Sequence, residues 1–117
     1  ESEIPFLKKN SSRINIFWAK DKATWNLKKF QRMIKNKTVY LTFDVDGLDS
    51  SIMPATGTPE PGGLLWDETL NIIRIAAKNS NIVGADINEL SPIKGFNSYN
   101  FLIAKLAYKI LSYKFLY

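Results

Sequence analysis

The sequence predicts an α/β domain built on a mainly parallel sheet, and three observations carry that prediction. Short β-type apolar runs alternate three times with segments of helical periodicity. The run Val39-Tyr40-Leu41-Thr42-Phe43 leads straight into Asp44-Val45-Asp46-Gly47-Leu48-Asp49, an acidic string of the kind that sits beyond the carboxyl end of a strand, where α/β sheets place their ligands. Apolar residues make up 45% of 117 residues, enough for one small domain with one core.

The elements follow in order. Ile14-Asn15-Ile16-Phe17-Trp18 alternates and reads as a short strand. Thr24 is placed as the N-cap of a helix over 25–35, with Leu27, Phe30 and Ile34 at helical spacing. Residues 39–43 form a buried-type strand, followed by a long Gly/Pro-rich loop over 44–63. A helix over 65–78 carries Leu70, Ile73 and Ala77 on one face, with Asp67 and Glu68 in the first turn, where the helix dipole favours acids. Asn79-Ser80-Asn81 breaks it, and residues 82–87 form a third strand. The loop 88–97 leads to a final helix over 99–114, with Ile103, Leu106, Ala107, Ile110 and Leu111 as its apolar stripe. The crossovers are expected to be right-handed. No internal repeat, low-complexity tract or linker divides the chain.

Composition narrows the function. The chain has no cysteine, which excludes disulfides and thiolate metal sites and leads to the expectation of a reducing, cytoplasmic compartment. It has no histidine, so the commonest metal ligand and the commonest base near neutral pH are missing. Any catalysis here rests on carboxylates and metal, or on groups supplied elsewhere. The net charge of +5 is unevenly spread. Residues 1–43 hold ten Lys/Arg against three acids, residues 44–92 hold eight acids against two bases, and residues 93–117 hold four lysines. The lysines fall on apparent helix faces and loops, not on a reading element with interleaved aromatics, which argues against a nucleic-acid binder. The acidic middle suits a cation and a cationic substrate. No apolar run approaches the roughly 20 residues of a membrane span, and the first residues lack the basic and apolar regions of a signal peptide, so no membrane role is expected.

Side chains alternate along a strand, so Asp44 and Asp46 point the same way if the strand continues that far. Two carboxylates at a strand end suit a hard divalent cation. The same pair serves equally as an acid/base dyad, or as ordinary turn residues. Glu89 follows the next strand and would share the rim. Asp49 reads as a turn or loop-capping residue, Asp86 as a structural hydrogen-bonding acid, and Gly57, Gly62 and Gly63 as loop geometry. Trp18, Trp25 and Trp66 read as core or subunit-contact residues.

The string from Phe43 to Asp49, continued by Pro54-Ala55-Thr56-Gly57-Thr58-Pro59-Glu60-Pro61-Gly62-Gly63-Leu64, closely resembles the signature of the ureohydrolases, the arginase and agmatinase family. Gly84-Ala85-Asp86-Ile87-Asn88-Glu89-Leu90-Ser91-Pro92 resembles that family's later D-x-x-E-x-x-P segment, and Ala104-Lys105-Leu106 its last helix. The resemblance implies a three-layer α/β sandwich, here a partial copy with about three strands and three helices. It implies a binuclear manganese site and hydrolysis of a small cationic guanidino substrate to urea and an amine, through water whose pKa the metals lower. Asp44 stands at the position of the aspartate that bridges both metals, and Asp46 at that of a ligand to one. Glu89 matches the glutamate that pairs with the guanidinium, a planar group favouring a bidentate carboxylate, and Thr58 matches a threonine beside it. Family members form trimers or hexamers, which makes a homo-oligomer the expectation for the complete form.

The departures are as informative. The family's earlier Gly-Gly-Asp-His and Asp-Ala-His-x-Asp strings, which supply the histidine ligands and two more aspartates, have no counterpart here. Ser50 and Ser91 replace a usual proline and asparagine. Residues 1–117 therefore resemble the C-terminal portion of a ureohydrolase domain, with an exposed sheet edge prone to association. Three readings stand: a segment inactive alone, a half-enzyme completed by a polypeptide carrying the histidines, and a non-catalytic module of the same fold. Glu60 after Thr-Gly-Thr-Pro resembles agmatinases more than arginases, while Ala55-Thr56 leans the other way; agmatinase is the expectation, with arginase or a guanidino-acid hydrolase as the alternative.

Overall fold

A computed structural model describes residues 3–117. Its elements are α1 (Glu3–Lys9), α2 (Leu27–Ile34), β1 (Thr38–Asp44), α3 (Trp66–Asn79), β2 (Asn81–Asn88) and α4 (Asn97–Leu116), with 3-10 turns at Ala19–Thr24 and Val45–Gly47. β1 and β2 pair in parallel from Thr38 opposite Asn81 to Asp44 opposite Asn88, with one irregularity between Val39 and Tyr40. This is the expected α/β arrangement, a β–α–β unit flanked by helices, but the described residues hold two strands rather than three.

The expected strand at Ile14-Asn15-Ile16-Phe17-Trp18 is absent. That segment pairs with neither strand, and its period-2 pattern is spent on side-chain contacts instead. The Phe17 ring meets Trp25 and Phe30 edge-on, with centroids 5.9 and 6.0 Å apart. Trp18 is exposed rather than core, and its carbonyl accepts from the Trp25 indole N–H at 2.8 Å.

The cap of α2 also moves. Thr24 lies in the 3-10 turn and its hydroxyl donates to the Asp21 carbonyl at 2.9 Å, so Asn26 caps the helix by accepting from the Lys29 N–H at 2.9 Å. α3 starts where the Glu68 side chain reaches back to the Leu65 N–H at 2.8 Å, half of a capping box. It buries Thr69, Leu70, Ile73, Ala76 and Ala77. α4 buries Ile103, Leu106, Ile110 and Tyr113, so the inner stripe continues through Tyr113 and the expected Leu111 is 57% exposed. Spacing decides this, because residues 103, 106, 110 and 113 keep one helical face where 111 drifts off it.

One apolar core joins α3 and α4 to Ile82 and to Val45, Leu48, Met53 and Ala55 of the β1–α3 loop, with Leu41 and Phe43 packed against it. The opposite face of the sheet, carrying Tyr40, Thr42 and Asp44, is exposed. Among the described residues no helix is long and apolar enough to cross a membrane.

Leu106 is fully buried, so Leu106→Ala is expected to cost about 2–5 kcal/mol, whereas Leu111→Ala is expected to cost well under half of that. Urea denaturation of the two variants checks the stripe. Equal losses would restore Leu111 to the core face.

Candidate metal and substrate site

β1 ends at Asp44 and the chain turns at once into Val45–Gly47. The strand alternation expected to align Asp44 with Asp46 therefore stops at Asp44, and the turn relates the two carboxylates instead. Asp44 Oδ1 accepts from the Asp46 N–H at 3.3 Å, a loose cap on the turn. Val45 and Leu48 are fully buried and pin the turn to the core, which leaves Asp44 exposed and Asp46 half-buried. Asp46 Oδ2 accepts from the Thr58 hydroxyl at 2.7 Å.

Thr58 comes within reach because residues 49–64 fold back on Asp49. The Asp49 carboxylate accepts from the Ser51 N–H at 2.9 Å, from the Ser51 hydroxyl, and from the Gly62 N–H at 2.7 Å. The Ser51 hydroxyl, then the two amides, hold this carboxyl below the ordinary aspartate value. Backbone bonds close the neck of the loop: Leu64 N–H to Gly47 O at 2.9 Å, and Asp49 N–H to Leu64 O at 3.0 Å. Gly63 is required there, since a Cβ would lie 2.5 Å from the Leu48 carbonyl carbon and 2.6 Å from the Asp49 nitrogen. Asp49 is thus the loop-capping acid its position suggested.

The second strand end delivers Glu89. β2 closes at Asn88, and Glu89 takes the left-handed conformation with φ 66°, which costs a non-glycine residue roughly 1 kcal/mol. The Ser91 N–H donates to the Ala55 carbonyl at 2.9 Å, and Thr56 bridges Leu90 antiparallel. These ties lay Glu89 against the first loop, its Oε2 4.0 Å from where a Cβ on Gly57 would sit. Asp44, Asp46, Thr58 and Glu89 thus gather on one rim.

Asp86 stays outside that group. It accepts from the Thr42 hydroxyl at 2.7 Å and from the Asn88 amide. The Thr42 hydroxyl, then Tyr40 beside it, lower its carboxyl, and hydrogen bonding to Asp86, then the charge of that carboxylate, raise the Tyr40 phenol. It is a hydrogen-bonding acid of the sheet face.

One contributor was invisible to sequence reasoning. Lys22 donates from Nζ to the Gly63 carbonyl at 2.7 Å and to Glu68 Oε2 at 2.9 Å, tying the 3-10 turn to the neck of the loop. The Leu65 amide, then Lys22, lower the Glu68 carboxyl. Gly57, read from the sequence as loop geometry, lies beside Glu89 at a distance that would also admit a Cβ, and its own backbone needs no special conformation. The Lys22 contacts join segments distant in sequence, which no local pattern announces.

Carboxylate oxygens have the right chemistry for a hard divalent cation. Their number does not complete a centre: among the described residues no group of three or more His, Cys, Asp or Glu is placed to hold a metal ion. Asp44 and Asp46 offer two neighbouring carboxylates of suitable chemistry, fewer donors than a metal centre needs.

A sequence profile of the arginase family matches residues 3–112. The chain belongs to the arginase family. It is 42% identical over 103 residues to an N(1)-aminopropylagmatine ureohydrolase from Synechocystis, a match covering 86% of this chain and 33% of the relative. It is 38% identical over 90 residues to an agmatinase from Neisseria gonorrhoeae, covering 77% of this chain and 28% of the relative. Among solved structures it is similar to the agmatine ureohydrolase of Thermoplasma volcanium, with TM-score 0.69 and 31% identity over 82% of this chain and 33% of that one. It shares the fold of the Bacillus caldovelox arginase, with TM-score 0.73 over 97% of this chain and 38% of that one. The chain spans about a third of the length of the curated relatives it matches.

The left-handed backbone at Glu89 sets a trade between stability and the site. Glu89→Gly should leave the chain folded and raise its stability by up to about 1 kcal/mol, read from the urea midpoint, because glycine adopts φ 66° without strain. A clear loss of stability would show that the carboxylate itself holds the two loops together.

Proposed function

We propose that this chain is the carboxylate-bearing C-terminal portion of a manganese-dependent ureohydrolase of agmatinase type, which hydrolyses agmatine to putrescine and urea in a complete enzyme. The observation that supports this reading is that Asp44, Asp46 and Thr58 are linked by hydrogen bonds while Glu89 lies against Gly57, next to Thr58. The ureohydrolase and agmatinase relatives support it.

The side chains divide the work. Asp44 and Asp46 would hold one side of the binuclear manganese centre, and the histidine-bearing portion absent from this chain would hold the other. Bound manganese would supply Lewis acidity and hydroxide near neutral pH. Thr58 donates to Asp46 Oδ2, which fixes the plane of a carboxylate that would serve as a metal ligand. Glu89 presents two oxygens to two N–H groups of the planar guanidinium, which orients the substrate and neutralises its charge. The acidic rim draws in a cationic substrate. A second reading concerns the substrate alone: the 42% identity to an N(1)-aminopropylagmatine ureohydrolase favours a guanidino compound with an aminopropyl extension.

A chimera tests the proposal. This chain is fused behind the N-terminal two thirds of the Synechocystis relative and loaded with Mn²⁺. Urea release from agmatine is expected to exceed release from arginine. Asp44→Asn is expected to lower it by more than the roughly 10–100-fold that losing an outer partner costs. Equal or greater activity on arginine would overturn the agmatinase assignment. Full activity of Asp44→Asn would remove Asp44 from the site, and preference for N(1)-aminopropylagmatine would establish the second reading.

A further inference from the structure

The loop between β1 and α3 is held in two different ways. Its first half is anchored by burial, through Met53 and Ala55, which are 0% and 1% exposed. Its second half, residues 57–62, is exposed throughout and has no apolar anchor. Thr58 belongs to that second half. What holds it is a short set of hydrogen bonds: Thr58 to Asp46, the Ser50 N–H to the Glu60 carbonyl at 3.1 Å, and the Gly62 N–H to Asp49.

We propose that Asp49 is a positioning residue, a latch whose carboxylate closes the 50–62 loop and thereby sets the Thr58 hydroxyl on Asp46 and Gly57 beneath Glu89. Its two oxygens divide the task. Oδ1 takes both donors of Ser51, at the start of the loop, and Oδ2 takes the Gly62 N–H at its far end. Gly62 has φ 83°, a conformation glycine adopts freely, so no backbone strain opposes its bond to Asp49, which joins the backbone bonds at the neck in setting where the loop returns. Pro59 and Pro61 restrict the backbone between, so closing the Gly62 end carries Thr58 with it. Lys22 supports the arrangement from outside through the Gly63 carbonyl. The latch stands on this geometry, and only its consequence for the substrate rests on the ureohydrolase reading.

Asparagine is the informative substitution. Whichever way its amide turns, one end of the loop meets an NH₂ where it needs an acceptor. In the full chain, Asp49→Asn is expected to shift the Thr58 methyl resonance toward its unfolded position. Exchange at the Gly62 amide should rise about tenfold or more, while α3, α4 and the paired strands keep their resonances. An unchanged Thr58 resonance and unchanged exchange at Gly62 would overturn the proposal. If Asp49→Asn does not fold, Ser51→Ala, which removes one of the two Oδ1 contacts, decides it by the same shifts or their absence. In the manganese-loaded chimera, Asp49→Asn is expected to lower kcat/KM for agmatine by roughly 10–100-fold with metal content unchanged. Asp67→Asn, at an exposed position in the first turn of α3, is expected to have no effect. Unchanged kcat/KM in Asp49→Asn would also overturn the latch. A chimera that releases no urea even unaltered would count against the ureohydrolase reading, while the Thr58 and Gly62 signals would still judge the latch.

Discussion

Asp44 and Asn88 face each other across the last rung of the parallel ladder, and the geometry of the site descends from that rung. Because β1 and β2 end side by side, the two loops that leave them start as neighbours. The Ser91–Ala55 backbone bond and the Thr56–Leu90 bridge then keep them together. Val45, Leu48, Met53 and Ala55 sink the first loop into the same core that packs α3 and α4. The floor of the site is therefore the core itself, and a loss of packing beneath it would be felt at the carboxylates above.

The paired strands and the long helices were legible because periodicity reports burial directly. Residues 39–43 and 82–87 read as strands, and α3 showed its inner face in Leu70, Ile73 and Ala77. The errors have physical causes. The alternation at Ile14–Trp18 is a real pattern, yet alternation does not say whether a pairing partner exists, and Phe17 packs on Trp25 and Phe30 instead. Thr24 and Asn26 are both good caps, and only the 3-10 turn that occupies the Thr24 hydroxyl decides between them. At the site, Asp44, Asp46, Thr58 and Glu89 were named through a motif, and Asp49 through the ordinary habits of aspartate in loops. The left-handed backbone at Glu89 was hidden because that conformation favours glycine and asparagine. Lys22 was hidden because its partners lie 41 and 46 residues away.

Shortfalls in burial and in coordination run parallel. The sheet has two strands, its outer face with Tyr40 and Thr42 is open, and α4 exposes Phe101, Tyr108, Leu111 and Phe115 opposite its buried stripe. A helix apolar on both sides expects neighbours on both sides. The rim likewise presents fewer carboxylates than a metal centre needs among the described residues. The chain spans about a third of the length of the curated relatives it matches. The electrostatics agree, since the acids concentrate in residues 44–92 while the flanking segments carry the lysines.

The central claim is that the ends of β1 and β2 form a cation-facing rim from Asp44, Asp46 and Thr58, with Glu89 beside it. Paramagnetic broadening by substoichiometric Mn²⁺ in the isotope-labelled chain tests this most directly. The account predicts selective loss of the Asp44, Asp46 and Thr58 signals, with those of Asp67 and Asp86 retained. Broadening spread evenly over all exposed acids, or centred on Asp86, would contradict it.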